Sequence, residues 1–231
     1  MWAAFDHCEP VAQDVMTFWF NPGQRIHYSA GQFIELQLPT ETSNGASGKH
    51  EFTLSSSPTE SALAITTQII TRPSHFKKAL IALRPGDNVS ISEPIGDFVL
   101  PKDPTIPLLF IAGGIGITPL RSIATYLRDT NQHRPIQLIY SVKTSDELVF
   151  LDLIQAAGIK VRPIITQQGS NGQSKSGRLQ AEQIPDLIDN LNEKLIYISG
   201  REQFVDSIAS GLRAQGVKRT AIIADSFRGY K

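Results

Sequence analysis

The sequence predicts a two-domain fold: a small antiparallel β domain, barrel or sandwich, followed by an α/β domain built on a parallel sheet. Three observations carry this. Residues 1–100 break into short β-prone runs separated by Gly and Pro. After Leu100, strand-like and helix-like segments alternate, the mark of a parallel sheet with right-handed crossovers. Between the two regions, Pro101-Lys102-Asp103-Pro104-Thr105-Ile106-Pro107 reads as a linker, which sets the expected domains at 1–103 and 104–231.

Taken in order, residues 11–20 form the first apolar run, stopped by the turn signal Asn21-Pro22-Gly23. Residues 32–38 alternate, with Ile34, Leu36 and Leu38 on one face and Phe33, Glu35 and Gln37 on the other. Further strands are expected at 52–55, 63–70, 88–92 and 98–100. Ser74 is placed to cap a helix over 75–83, which Pro85-Gly86 then stops. Residues 40–49 (TETSNGASGK) read as a mobile hairpin loop. In the second half, 108–112 is a continuous apolar run, as suits a parallel strand covered on both faces. A helix over 120–128 follows, with Thr118 as N-cap and Pro119 in the first turn. Strands are expected at 137–142, 160–166, 195–199 and 221–225, and helices at 147–157 and 202–215. Residues 167–177 (QQGSNGQSKSG) read as a flexible polar loop.

Composition excludes several classes of function. The 231 residues are 41% hydrophobic and 19% charged, enough for a core and a hydrated surface. Twenty-two basic residues balance 22 acidic ones, so no net field draws the chain to nucleic acid or an anionic membrane. The richest apolar stretch, 106–117, is broken by Pro107, Gly113, Gly114 and Gly116, and no run approaches the ~20 residues of a membrane span. The first ten residues carry Asp6 and Glu9 without a basic flank and do not read as a signal peptide. A single cysteine, Cys8, excludes an intrachain disulfide, a thiolate-held iron–sulfur cluster and a cysteine zinc site. The five histidines show no helical pairing, so no metal site is expected. This cysteine usage fits a cytoplasmic location.

Five segments carry possible chemistry. Gly113-Gly114-Ile115-Gly116-Ile117-Thr118-Pro119 follows a buried strand and opens a helix. It fits either an ordinary tight turn or a phosphate cradle of backbone amides, with Thr118 as a hydroxyl donor. It departs from the dinucleotide fingerprint, since Pro119 and Leu120 stand where a third glycine would be sought and no acid clearly ends the second strand. His50-Glu51-Phe52-Thr53 places an aromatic beside a hydroxyl, as a flat ring ligand or a plain edge strand would require. Thr71-Arg72-Pro73-Ser74-His75-Phe76-Lys77 offers either an N-cap with solvated charges or a second phosphate cradle. Ser199-Gly200-Arg201 ends a strand at the carboxyl edge of the sheet, where such folds bind ligands. Asp225-Ser226-Phe227-Arg228-Gly229-Tyr230 brings aromatics to the end of the sequence.

In their order and spacing these segments resemble the ferredoxin–NADP reductase superfamily from about residue 29 to 230. Ala30-Gly31-Gln32-Phe33, Pro85-Gly86-Asp87 and Glu93-Pro94-Ile95-Gly96-Asp97-Phe98 are similar to its structural turns. The resemblance implies an N-terminal antiparallel β-barrel that binds FAD and a C-terminal α/β domain that binds NADH or NADPH. It implies that Phe52 lies against the flavin ring and that Thr53 lies near flavin N5. It assigns flavin contacts to His50, Glu51, Ile69, Thr71 and Ser74, with Ser74 on the pyrophosphate. Gly114, Thr118, Thr166, Arg178, Ser199 and Gly200 would face the nicotinamide nucleotide. Phe227, or failing it Tyr230, would cover the ring's other face. Thr53, Ser199 and Phe227 are the residues closest to the chemistry on this pattern.

Three departures qualify the transfer. His50 stands in place of an arginine, as in the ferric reductase and NADPH oxidase branch. A lost charge-assisted bond of ~1.5–3 kcal/mol would weaken flavin binding roughly 10–100-fold. Ser199 and Arg201 replace a cysteine and a proline. Thr166-Gln167 replace a Ser-Arg pair, leaving Arg178 as the matched cation and favouring NADH, with Lys143 and Lys175 as cations that bear on the choice. The implied activity is an FAD-dependent NAD(P)H oxidoreductase that passes electrons to a separate acceptor: ferredoxin, flavodoxin, a partner oxygenase or free flavin. The alternatives are a flavin reductase using flavin as a diffusible substrate, and a non-catalytic electron-transfer subunit of a larger complex. No Gly-x-Ser-x-Gly elbow supports a hydrolase.

Overall fold

The computed structural model describes residues 1–38, 48–167 and 177–227. The loops expected at 40–49 and 167–177 lie almost wholly outside these residues, as do Lys175, Arg228 and Tyr230.

The N-terminal half is a six-stranded antiparallel sheet in the order β4-β3-β6-β1-β2-β5. Its strands are β1 (Trp2–Ala12), β2 (Val15–Asn21), β3 (Phe33–Gln37), β4 (Lys49–Thr53), β5 (Leu63–Gln68) and β6 (Asn88–Ile91). The bridge between Leu54 and Ile65 joins the two ends of the sheet, so it closes on itself as a barrel. The alternation in β3 holds: Ile34, Leu36 and Leu38 are buried inside with Phe5, Phe18, Phe20, Leu54 and Ile65. The run at 11–20 is not one strand. Val11 and Ala12 end β1, and Asp14, at φ 60°, turns a hairpin into β2. Helix α1 (His75–Ile81) closes one end of the barrel with Phe76 and Leu80, and Ser74 Oγ caps it by accepting from Lys77 N.

Residues 98–100 are not a strand. Phe98 packs edge-on against Tyr197 and Phe110, and Val99 O accepts from Tyr197 Oη at 2.6 Å. The apolar side chains expected in the barrel are thus spent on joining it to the next sheet.

The C-terminal half is a fully parallel sheet in the order β11-β10-β7-β8-β9. Its strands are β7 (Leu108–Gly113), β8 (Ile136–Val142), β9 (Lys160–Ile165), β10 (Leu195–Arg201) and β11 (Ile222–Phe227). Leu108, Phe110 and Ala112 of β7 enter one core, while Leu109 and Ile111 enter the other, which explains the unbroken apolar run. Helices α2 (Thr118–Asp129) and α3 (Leu151–Ala156) cover the first face. Helices α4 (Ile184–Leu187) and α5 (Glu202–Ala214) cover the second, α5 through Val205, Ile208, Ala209 and Leu212. The helix expected at 147–157 is shorter, because Phe150 adopts a left-handed φ of 63° and forces a fresh start at Leu151. No helix among the described residues is long and apolar enough to cross a membrane.

Candidate functional site

Helix α2 leaves β7 through a 3-10 turn over Gly114–Ile117. Gly116 must be glycine, since a Cβ there would sit 2.2 Å from Ser199 O on the neighbouring strand. Gly114 takes a φ of +53° with open space beyond it, so its backbone faces a gap. Thr118 is the first residue of α2 rather than its cap. Its hydroxyl donates to Ile115 O at 3.2 Å and is spent within the turn.

Helix α2 is bolted to the barrel by the segment following β4. The Arg121 guanidinium bonds Ser55 O at 2.9 Å and grips both carboxylate oxygens of Glu60. It also lies 5.5 Å from the centroid of the Trp19 ring. Ser122 donates to Ser56 O, and Thr59 Oγ1 donates to Asp129 Oδ2 at 2.6 Å. That bond holds the Asp129 carboxyl below its usual range. The segment that follows Thr53 and the helix that follows the Gly114 turn are therefore held together across the gap between the domains.

Across that gap Thr53 Oγ1 donates to Asp225 Oδ2 at 3.2 Å. Burial, with Glu51 adding to it, pushes the Asp225 carboxyl up to about 6, while the Thr53 bond pulls the other way. Asp225 pairs in register with Ser199 on β10. The Ser199 hydroxyl is buried without a hydrogen-bond partner among the described residues. Three polar side chains from β4, β10 and β11 thus converge. Asp225 was missed from the sequence, although it stands two residues before Phe227 in the same segment. Strand alternation puts Phe227 on the Asp225 face, at the end of β11 opposite Arg201.

Alternation divides β4. Glu51 and Thr53 share the Asp225 side, while His50 and Phe52 turn toward α1. There the His50 ring lies 3.9 Å from Phe76 and the Phe52 ring 5.7 Å from it. Burial first, and Lys77 second, hold the His50 pKa below its ordinary value. Ile69 packs on the barrel core, whereas Thr71 is exposed.

A cavity of about 330 Å³ opens between the domains. Val15 and Gln68 line it from the barrel, and Gly114, Ser141, Lys143, Glu147, Arg178 and Arg201 line it from the α/β domain. Of the nucleotide-facing residues expected from sequence, Gly114 and Arg178 line this cavity, together with Lys143 and Arg201. Thr53 and Ser199 meet at Asp225, and His50 and Phe52 form a third group near α1. Thr166 extends β9 beside Val142 without lining the cavity. An acid does close the second strand of this sheet: Glu147 folds back, and its Oε2 accepts from Lys143 N at 3.0 Å. The sequence hid it because the loop, not the strand, delivers it.

The oxidoreductase NAD-binding domain family matches residues 110–210. The reductase component of propane 2-monooxygenase from Mycolicibacterium goodii is 23% identical over 233 residues, covering 95% of this chain and 65% of the relative. The glycine betaine monooxygenase reductase subunit of Chromohalobacter salexigens is 24% identical, covering 95% and 63%. The chain spans less than two thirds of the length of these curated relatives. Among solved structures, the cytochrome P450 reductase of Amycolatopsis superposes with a TM-score of 0.81 at 20% identity, over 98% of this chain and 69% of that one. The FAD/NAD-binding domain of nitric oxide dioxygenase from Vibrio cholerae gives 0.78 at 19% identity, over 99% and 98%. Ferredoxin–NADP+ reductase from Plasmodium falciparum gives 0.79 at 16% identity, over 98% and 95%. With its closed antiparallel barrel and five-stranded parallel sheet the chain shares the fold of these solved reductases, and its residues 110–210 match the oxidoreductase NAD-binding domain family.

Proposed function

We propose that this chain is an FAD-dependent NAD(P)H oxidoreductase that hands its electrons to a separate acceptor. The single observation that carries this is the bond that joins Thr53 of the barrel to Asp225 of the parallel sheet, in register with Ser199. The fit to a nucleotide rests on three features. The Ser199 hydroxyl is buried without a partner among the described residues, the Gly114 backbone faces open space, and cationic Lys143, Arg178 and Arg201 line the cavity. When bound, FAD accepts a hydride from NAD(P)H and releases electrons to the acceptor.

The chain's own residues supply binding and register. With its hydrogen committed to Asp225, the Thr53 oxygen is left as an acceptor. When Asp225 takes a proton, the bond can reverse, and Thr53 then has a hydrogen to donate. Phe227, next on the Asp225 face, would cover a ring placed against Thr53, whereas Phe52 turns to the other face of β4 beside α1. Gly114 would leave room for the nucleotide, while Gly200 lets β10 pack closely on Gly113 and Phe204. We place NADH ahead of NADPH, because the Glu147 carboxylate at the end of β8 would accept a ribose hydroxyl and repel a 2′-phosphate. The acceptor we propose is a partner protein of the ferredoxin, flavodoxin or oxygenase kind, within the cytoplasm.

An absorbance spectrum of the purified chain tests this. A yellow protein that NADH bleaches under anaerobic conditions is expected, and a colourless chain without flavin affinity would overturn it. One observation favours a second reading. His50 stands in place of an arginine that would hold flavin phosphate and packs its ring on Phe76, as suits a reductase using flavin as a diffusible substrate. Retention of FAD through gel filtration would exclude that reading, and micromolar or weaker binding would support it.

A further inference from the structure

Lys77 and Arg201 come from opposite halves of the molecule and meet on one glutamine. Lys77, in α1, donates its ammonium to Gln68 O. Arg201, the N-cap residue of α5, donates from Nη2 to Gln68 Oε1 at 3.1 Å. Gln68 ends β5, and both it and Arg201 line the interdomain cavity, on the same wall system as Gly114.

The two charges sense each other. Burial first, and Arg201 second, hold the Lys77 ammonium below its ordinary pKa. Among the described residues neither Lys77 nor Arg201 forms an ion pair with a carboxylate. Glu202, next to Arg201 in the chain, pairs with neither. Two cations drawn onto one residue repel unless an anion joins them. Each keeps N–H donors beyond its bond to Gln68. A guanidinium can grip one phosphoryl group through two parallel bonds, while an ammonium serves the adjacent one as a point charge.

We propose that Lys77 and Arg201 form a clamp, built from both domains, for the diphosphate of a dinucleotide. The proposal rests on the dinucleotide-binding function above. Ser74, the hydroxyl marked for this role by sequence, already serves α1 by accepting from Lys77 N. A ligand held by the clamp would tie the barrel to the α/β domain at the open side of the gap, opposite the Arg121–Glu60 contact. The diphosphate belongs either to FAD or to the nicotinamide nucleotide, and the test separates the two.

Affinities for FAD and for ADP-ribose would be measured by calorimetry on the full chain and on K77Q, R201Q, K77R and R201K. Both neutral variants are expected to weaken the same ligand about 10–100-fold. FAD is that ligand if the clamp holds the flavin diphosphate, and ADP-ribose if it holds the nicotinamide side. The charge-keeping variants should retain most of the affinity. The ligand-free neutral variants should unfold at or above the wild-type temperature, because a repulsion is removed. Unchanged affinities for both ligands would overturn the clamp while leaving the proposed function intact. So would equal losses in the neutral and charge-keeping variants. A wild-type chain that binds neither ligand would overturn the function itself, and the clamp with it.

Discussion

Thr53 and Asp225 stand 172 residues apart in sequence and share one hydrogen bond of 3.2 Å. One ends a barrel strand and the other lies in the last strand of the parallel sheet, so the bond spans the gap between the domains. It puts a carboxyl group with a raised pKa beside the hydroxyl that the family pattern sets near the flavin.

Asp225 makes stability depend on pH. Its folded pKa of about 6 exceeds the ordinary 3.8, so the native state binds the proton more tightly than the unfolded chain. That contribution is fully present below 3.8 and is lost as pH rises through about 6. D225N stays neutral throughout. Its stability relative to wild type should rise from about pH 4 to about pH 7, by ~3 kcal/mol at most. Urea titrations at both pH values check this, and a pH-independent difference would contradict it.

The Arg121–Glu60 pair is mostly buried, with side-chain exposures of 12% and 23%. R121Q leaves Glu60 without its cation and Ser55 O without its donor. The expected cost is about 2–3 kcal/mol, between the ranges for exposed and buried pairs. Chemical denaturation of R121Q, E60Q and the double variant gives the coupling. Additive losses would show that the pair does not hold the domains together.

Ser199 buries a hydroxyl that has no partner among the described residues. S199A should therefore be neutral or more stable, by up to about 1 kcal/mol, because an unmet polar group is removed. The same change should weaken nicotinamide nucleotide binding if the hydroxyl meets the ligand. Thermal unfolding with and without NAD+ separates the effects. A clear loss of stability in the ligand-free variant would mean that the hydroxyl is already bonded.

Glu147 and Lys143 set opposite charges at the end of β8. E147Q removes the carboxylate and leaves the cation. The ratio of kcat/KM for NADH over NADPH should fall about tenfold or more, as expected for one charged contact. An unchanged ratio would assign Glu147 only the role of capping the strand.

Much of the architecture was legible in the chain itself. The β3 alternation, the apolar run of β7 and the spacing in α5 state which faces are buried, because side-chain period follows backbone geometry. The glycine turn could be found for the same reason, since Gly116 answers a local steric demand from the adjacent strand. Residues 98–100 misled because Phe98 is apolar for the sake of Phe110 and Tyr197, which lie in another domain. Apolar character shows that a residue is buried, not which neighbour buries it.

The sequence by itself determined the order of a β half before an α/β half, the apolar faces and the glycine turn, all of which depend on local pattern. Only the tertiary structure decided that Asp225 meets Thr53, that Glu147 caps β8, and that Lys77 and Arg201 share Gln68. Those pairings are set by how two sheets dock and how one loop folds back. The groups involved are polar side chains whose identity carries no record of their distant partner.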